Sequence, residues 1–79
     1  MNENQIKMTE LGLFLAKKSV NRSDVARKTG ISKTRLSELS NNKRTKLRAD
    51  ELYLIALAID ADPCEVLTEI YKHLELKNN

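Results

Sequence analysis

The stretch RSDVARKTGISKTRLSELSN, residues 22–41, decides the fold of this chain. It has the pattern of two short helices joined by a turn. Asn21 is a good N-cap for the first helix, and Gly30 suits the left-handed position where a helix ends, because glycine has no Cβ to be strained there. Ser32 is a second N-cap. The sequence therefore predicts a break at Gly30 and a new helix that begins at Ser32.

The second helix of this pair has one apolar side and one polar side. Leu36 and Leu39 lie three residues apart and predict the buried side. At about 100° per residue, the outward side chains are Thr34, Ser37 and Glu38, with Lys33 and Arg35 on the flanks. We expect this polar face to contact another molecule.

Residues 22–41 resemble the helix-turn-helix motif of the phage-repressor and Cro type (xenobiotic-response-element-like) family, and the resemblance extends over about residues 11–67. Ala26 occupies the fifth motif position, where two steeply crossing helices need a small side chain, and Gly30 occupies the ninth. Apolar residues stand at the core positions of the motif: Val25, Ile31, Leu36 and Leu39.

The resemblance implies an all-α, five-helix, lambda-repressor-like DNA-binding domain with the helix-turn-helix at helices two and three. We expect a flexible N-terminal arm over residues 1–8, the domain over residues 9–74 and a C-terminal tail over residues 75–79. Helix one is predicted over residues 9–18 with Thr9 as its cap, and helix four over residues 49–61. Helix five is predicted to begin at the N-cap Asp62 and to include Leu74. The inward residues predicted for these three helices are Leu11, Phe14, Leu15, Leu52, Ile55, Ala56, Ile59, Val66, Leu67 and Ile70.

The chain departs from the family pattern in two places. Arg22 replaces a Gln that touches a phosphate, and it can do the same with a full charge. Ser40, Asn41 and Asn42 replace a closing Glu-Asn-Gly, and Leu15 replaces the Arg that pairs with that Glu. Because a buried ion pair roughly breaks even against apolar packing, we expect the fold to be kept. Asn42 is expected to be left-handed, as the replaced Gly is.

Charge is distributed unevenly along the chain. Residues 21–48 hold nine Lys or Arg against two acids, a local net of +7, whereas residues 49–79 hold two Lys against seven acids, a net of −5. A surface that only needed solvation would mix both signs. Like charges held together repel unless a polyanion neutralises them, so the basic cluster indicates a nucleic-acid partner.

Other classes of function find little support. One cysteine, Cys64, excludes an internal disulfide, and we expect no metal or cofactor, because no thiol and histidine cluster is present. His73 has no Ser or Cys nearby in sequence, so no enzymatic activity is expected. The longest apolar run is eight residues, far short of the ~20 that cross a bilayer, which predicts a protein without a membrane role. The single cysteine fits a reducing cytoplasm, where we expect the protein.

Carried over residue by residue, the resemblance implies sequence-specific binding of double-stranded DNA by a transcriptional regulator, a repressor that acts as a homodimer on a palindromic operator. The implied base-reading residues are Lys33, Thr34, Ser37 and Glu38. The implied phosphate contacts are Arg22, Asn41, Lys43, Arg44 and Lys46, with Arg35 on a phosphate or a base edge.

The apolar residues left after the core is filled predict a dimer interface: Leu54, Leu57, Tyr71, Leu74 and Leu76. In the alternative arrangement, Leu74 and Leu76 fold back over helix one of the same chain. Two other functions stay open. One is the antitoxin half of a toxin–antitoxin pair, which would add a toxin partner, and the other is a protein-interaction module that does not bind DNA.

Overall fold

Five α-helices lie within residues 8–77, the part of the chain that this computed structural model describes. They are α1 (Glu10–Lys17), α2 (Arg22–Thr29), α3 (Lys33–Asn41), α4 (Ala49–Ala58) and α5 (Pro63–Tyr71). The expected all-α, five-helix fold is confirmed. Most of the expected N-terminal arm and the last two residues of the tail lie outside the described residues. No helix within residues 8–77 has the length and apolar character needed to cross a membrane.

Capping side chains set the starts of four helices, as the sequence predicts. The side-chain oxygens of Thr9, Asn21, Ser32 and Asp62 each accept a hydrogen bond from a backbone N–H of the first turn that follows. These bonds satisfy donors that a helix N-terminus otherwise leaves unpaired. Gly30 has a φ of 81° and ends α2, so the predicted break between the two motif helices is confirmed.

The helices close around one apolar core. α1 packs against α3 and α5, α4 packs against α2 and α5, and α2 packs against α3. The buried apolar residues come from all five helices: Leu11, Phe14, Leu15, Val25, Leu36, Leu39, Leu52, Ile55, Ala56, Val66 and Ile70. Leu15 is among the most deeply buried of them, so apolar packing occupies the place where the family has an ion-paired arginine.

The C-terminal half differs from the sequence prediction in three respects. α4 ends at Ala58 and not at residue 61, because Asp60 has a φ of 58°, which a right-handed helix cannot contain. Leu67 is 49% exposed and was wrongly placed in the core. Val66 and Ile70, four residues apart, are the pair that faces inward, and Leu67 is turned about 100° away from Val66. Leu74 lies beyond the end of α5 and not on it.

The N-terminus of α1 docks against the C-terminus of α3. The Thr9 hydroxyl donates to the Leu39 carbonyl at 2.6 Å, and the Thr9 N–H donates to the Ser40 carbonyl at 2.9 Å. Gly12 is buried at this crossing, and a Cβ added there would overlap the Ser40 carbonyl oxygen. The absence of a side chain at Gly12 therefore lets α1 approach α3 closely enough for both hydrogen bonds.

Candidate nucleic-acid interface

α3 presents a polar face to solvent. The four residues that the resemblance assigns to base reading, Lys33, Thr34, Ser37 and Glu38, are all exposed, while Leu36 and Leu39 on the opposite side are buried. Ser32 caps the helix by accepting from the Arg35 N–H at 3.0 Å, which fixes the first turn. The polar side chains at positions 33, 34, 37 and 38 consequently share one face that starts at the N-terminus of α3.

A basic loop, residues 42–48, follows α3. Lys43, Arg44 and Lys46 are exposed on it. Asn42 organises the turn, since its side-chain oxygen accepts from the Arg44 N–H at 2.9 Å and its carbonyl accepts from the Thr45 N–H at 3.0 Å. The loop thus leaves α3 in a defined turn with its cations in solvent.

The backbone of Asn42 differs from the expected left-handed conformation. Its φ of −115° and ψ of 108° are extended, so the prediction was wrong. The carbonyls at this end of α3 have other partners, because Thr9 takes those of Leu39 and Ser40, and the Asn42 N–H donates to the Glu38 carbonyl at 2.8 Å. α3 therefore ends without a left-handed residue.

The guanidinium of Arg35 hydrogen-bonds to other residues of the same chain. Its Nε donates to Glu51 Oε2 at 2.8 Å and its Nη2 donates to Glu51 Oε1 at 2.9 Å. Nη2 also donates to the Lys46 carbonyl at 3.0 Å. The structure places Arg35 in this ion pair, apart from the exposed cations with which the sequence grouped it.

Glu51 completes the pair from the first turn of α4. Its side chain is 10% exposed, and Oε1 also accepts from the backbone N–H of Arg48 at 3.0 Å. The hydrogen bond from Arg35 lowers the pKa of Glu51 below its ordinary value of 4.5, despite a desolvation that acts in the opposite direction. The same bond raises the pKa of Arg35. Both groups are therefore charged near neutral pH.

Glu51 and Gly12 are the residues at this site that sequence reasoning missed. Glu51 is sixteen positions from Arg35 and reads as an ordinary acid in a first helical turn. One signal existed, because a Glu three residues after an N-cap often accepts from the backbone N–H of that cap, as Glu51 does from Arg48. Gly12 carried no comparable signal, since a glycine inside a helix only suggests a weak helix.

The residues assigned to a dimer interface occupy two kinds of position. Leu54 and Leu57 are exposed on α4, and Leu57 is 51% exposed. Tyr71 is half-buried and packs against the core of its own chain. Leu74 borders a cleft of about 480 Å³ with Leu11 of α1, yet Leu74 itself remains mostly exposed. Leu76 is 95% exposed, so neither leucine is buried against α1.

The residues that could serve catalysis or metal binding do not form a cluster in the described part of the chain. Cys64 is a free, exposed thiol in the first turn of α5, and His73 is exposed beyond the end of that helix. Within residues 8–77, no group of three His, Cys, Asp or Glu side chains is arranged to hold a metal ion. The concentrated features of the described surface are the polar face of α3 and the basic loop.

Comparison with known proteins identifies the family. A family model described as the Cro/C1-type HTH DNA-binding domain matches residues 10–70, from the first residue of α1 almost to the end of α5. Searches of curated proteins and of solved structures found no significant match. The family match covers most of the chain and includes α2, α3 and the basic loop. The chain therefore belongs to the Cro/C1-type helix-turn-helix DNA-binding family.

Proposed function

We propose that this protein is a sequence-specific transcriptional regulator, a repressor that binds a palindromic operator as a homodimer. The observation that carries the proposal is the exposed polar face of α3 followed directly by the exposed cations of the basic loop, in a chain of this DNA-binding family. Residues 21–48, which contain both, have a local net charge of +7. α3 is the recognition helix and enters the major groove, and the protein represses by blocking access to the operator.

The four exposed polar residues of α3 read bases in this proposal. Lys33 suits the acceptors of guanine, Glu38 suits the amino group of cytosine, and Thr34 suits the methyl group of thymine. Ser37, one turn after Lys33, is the more adaptable contact, because a hydroxyl can donate or accept. These roles follow from exposure and side-chain chemistry on one helix face.

Phosphate contacts surround that face. Arg22 at the start of α2, Asn41 at the end of α3, and Lys43, Arg44 and Lys46 on the basic loop position the protein on the duplex. Arg35 does not belong to this set, because two of its nitrogens donate to Glu51.

Exposed apolar residues support the homodimer. The large apolar side chains of Leu54 and Leu57 on α4, and of Leu74 and Leu76 after α5, are exposed to solvent, and Tyr71 is half-buried. A second copy would cover them, and a two-fold dimer places two recognition helices about one DNA turn, ~34 Å, apart. Sedimentation of the wild type and of Leu57→Glu measures this. A wild-type protein that is monomeric with and without DNA contradicts the dimer and leaves the surface to another protein, such as the toxin of an antitoxin–toxin pair.

DNA binding itself is tested by selecting bound sequences from a random duplex library and titrating salt. We expect log K to fall by about 0.9 for each phosphate neutralised. Arg44→Ala should weaken all duplexes about equally, and Lys33→Ala should flatten the preference at one or two base pairs. Lys28→Ala is the matched control, because it removes one exposed charge from α2 outside the proposed contacts. A flat salt titration of the wild type overturns the DNA-binding proposal and favours a protein-interaction module.

A further inference from the structure

One ion pair fixes the end of the basic loop to the recognition helix. Arg35 lies on α3, Glu51 lies on α4, and the loop runs between them. Arg35 holds the Lys46 carbonyl, and Glu51 holds the Arg48 N–H. The two side chains therefore hydrogen-bond to the loop backbone at two points and also to each other.

We propose that Glu51 and Arg35 are positioning residues for DNA binding, which set where the cations of the basic loop stand relative to the recognition face of α3. The inference rests on the proposed DNA-binding function and deepens it by assigning residues that do not themselves contact DNA. Lys43, Arg44 and Lys46 are exposed and have flexible stems, so the path of the backbone decides which phosphates they reach.

The chemistry of the pair fits this role. A guanidinium is a planar fork, so it can donate to both oxygens of one carboxylate and to a carbonyl in a fixed arrangement, which a lysine ammonium cannot reproduce. The Glu51 carboxylate is largely shielded from solvent and neutralises Arg35. The pair consequently brings no net charge to the interface, and its contribution is geometric.

Replacing Glu51 distinguishes a positioning role from a simple effect of charge, because the two predict opposite changes in DNA affinity. Glu51→Gln removes a negative charge from a protein that binds a polyanion, so simple electrostatics predicts tighter binding. Loss of positioning predicts weaker binding. From the slope of about 0.9 per phosphate, each phosphate that the loop no longer reaches lowers affinity about fivefold at ~0.15 M salt and makes the salt dependence shallower by about 0.9.

The matched control is Glu65→Gln. Glu65 is exposed in the first turn of α5, and its replacement makes the same change in net charge. We expect this variant to bind a labelled duplex of the selected sequence as the wild type does, with the same salt slope.

Arg35 provides the second arm of the test. Arg35→Lys keeps the positive charge and loses the fork, whereas Arg35→Met loses both. If Arg35 positions the loop, both variants lose affinity and salt slope to a similar extent. If Arg35 contacts a phosphate directly, Arg35→Lys retains most of the affinity, because a lysine ammonium also neutralises a phosphate as a point charge. Each variant is assayed at temperatures where circular dichroism shows that it is folded. Its active fraction is titrated first, so that inactive protein is not mistaken for weaker binding. The salt slope is an independent measure, because a smaller active fraction does not change it.

The possible outcomes distinguish failure of the positioning role from failure of the proposed DNA binding. Weaker binding with a shallower slope for Glu51→Gln and Arg35→Lys, beside an unchanged Glu65→Gln, supports positioning. A Glu51→Gln variant that binds as tightly as the wild type, or more tightly, overturns positioning and leaves DNA binding intact. Absence of salt-dependent duplex binding by both the wild type and Glu65→Gln overturns the two together.

Discussion

Gly12→Ala tests the closest approach between helices in the fold. In an exposed helix this change stabilises a protein by about 1 kcal/mol, because alanine is the better helix former. At Gly12 the new methyl group would overlap the backbone of Ser40, with the Ser40 carbonyl carbon at 3.1 Å and its Cα at 3.3 Å. A backbone cannot rotate away as a side chain can, so α1 and α3 have to separate.

The cost follows from what that separation disturbs. Overpacking costs about 1–3 kcal/mol, and the two hydrogen bonds from Thr9 to the end of α3 contribute about 1 kcal/mol each. Subtracting the gain of about 1 kcal/mol in helix propensity leaves a net loss of about 2–4 kcal/mol. A domain of this size loses about 4–8 °C in melting temperature per kcal/mol, so we expect a fall of roughly 10–30 °C.

Thermal unfolding followed by circular dichroism measures the effect, with Ala16→Gly as the control. Ala16 is exposed on the same helix, so its replacement reports propensity alone and should cost about 1 kcal/mol. A Gly12→Ala variant that melts at or above the wild-type temperature would refute the close approach of α1 to Ser40. Because α3 is the helix displaced, the variant should also bind duplex DNA less tightly at temperatures where it remains folded.

Three further changes probe the described contacts. Glu51 has a lowered pKa, so its contribution to stability is present above its ordinary pKa of 4.5 and is lost as pH falls through the lowered value; the melting temperatures of the wild type and Glu51→Gln should differ at pH 7 and converge in acid, and a constant difference contradicts this. Ala26→Leu overpacks a half-buried position against the core and should lower the free energy of unfolding by about 1–3 kcal/mol. An unchanged melting temperature would show that Ala26 does not lie where α2 and α3 cross. Asp60→Gly relieves a positive φ of 58° and should raise stability by up to about 1 kcal/mol, whereas Asp60→Ala should not.

Local chemistry explains which parts of the fold could be predicted from the sequence. The caps at Thr9, Asn21, Ser32 and Asp62 act on backbone groups two or three residues away, so the sequence contains both partners of each contact. Gly30 is similar, because the need for a left-handed residue arises where α2 ends. The spacing of Leu36 and Leu39 predicted the outward face of α3, because helical periodicity also acts over only a few residues.

The wrong prediction for Asn42 and the unforeseen partner of Arg35 both depend on contacts between distant segments. Asn42 was expected to be left-handed because a helix end usually needs such a residue, yet Thr9, more than thirty positions earlier, supplies the donors at this end. Arg35 was grouped with the surface cations because its partner Glu51 lies on another helix. A single sequence gives side-chain types and their periodicity, and it does not show which helix meets which at a given residue.

Two contacts that the sequence did not reveal hold the two ends of α3. The family device that this chain lacks ties helix one to the end of helix three by an ion pair, and Leu15 and Ser40 stand in its place, both buried. Here Thr9 and the bare backbone of Gly12 hold the C-terminal end of α3 through hydrogen bonds and close approach. The Arg35–Glu51 pair, nearer the N-terminus of α3, holds it to α4. Leu36 and Leu39 anchor α3 in the core, and α3 also packs against α1 and α2. The contacts of Thr9 and Gly12 and the Arg35–Glu51 pair add a polar or close-packed attachment near each end of the helix. Core packing and these end contacts together fix the direction in which Lys33, Thr34, Ser37 and Glu38 face.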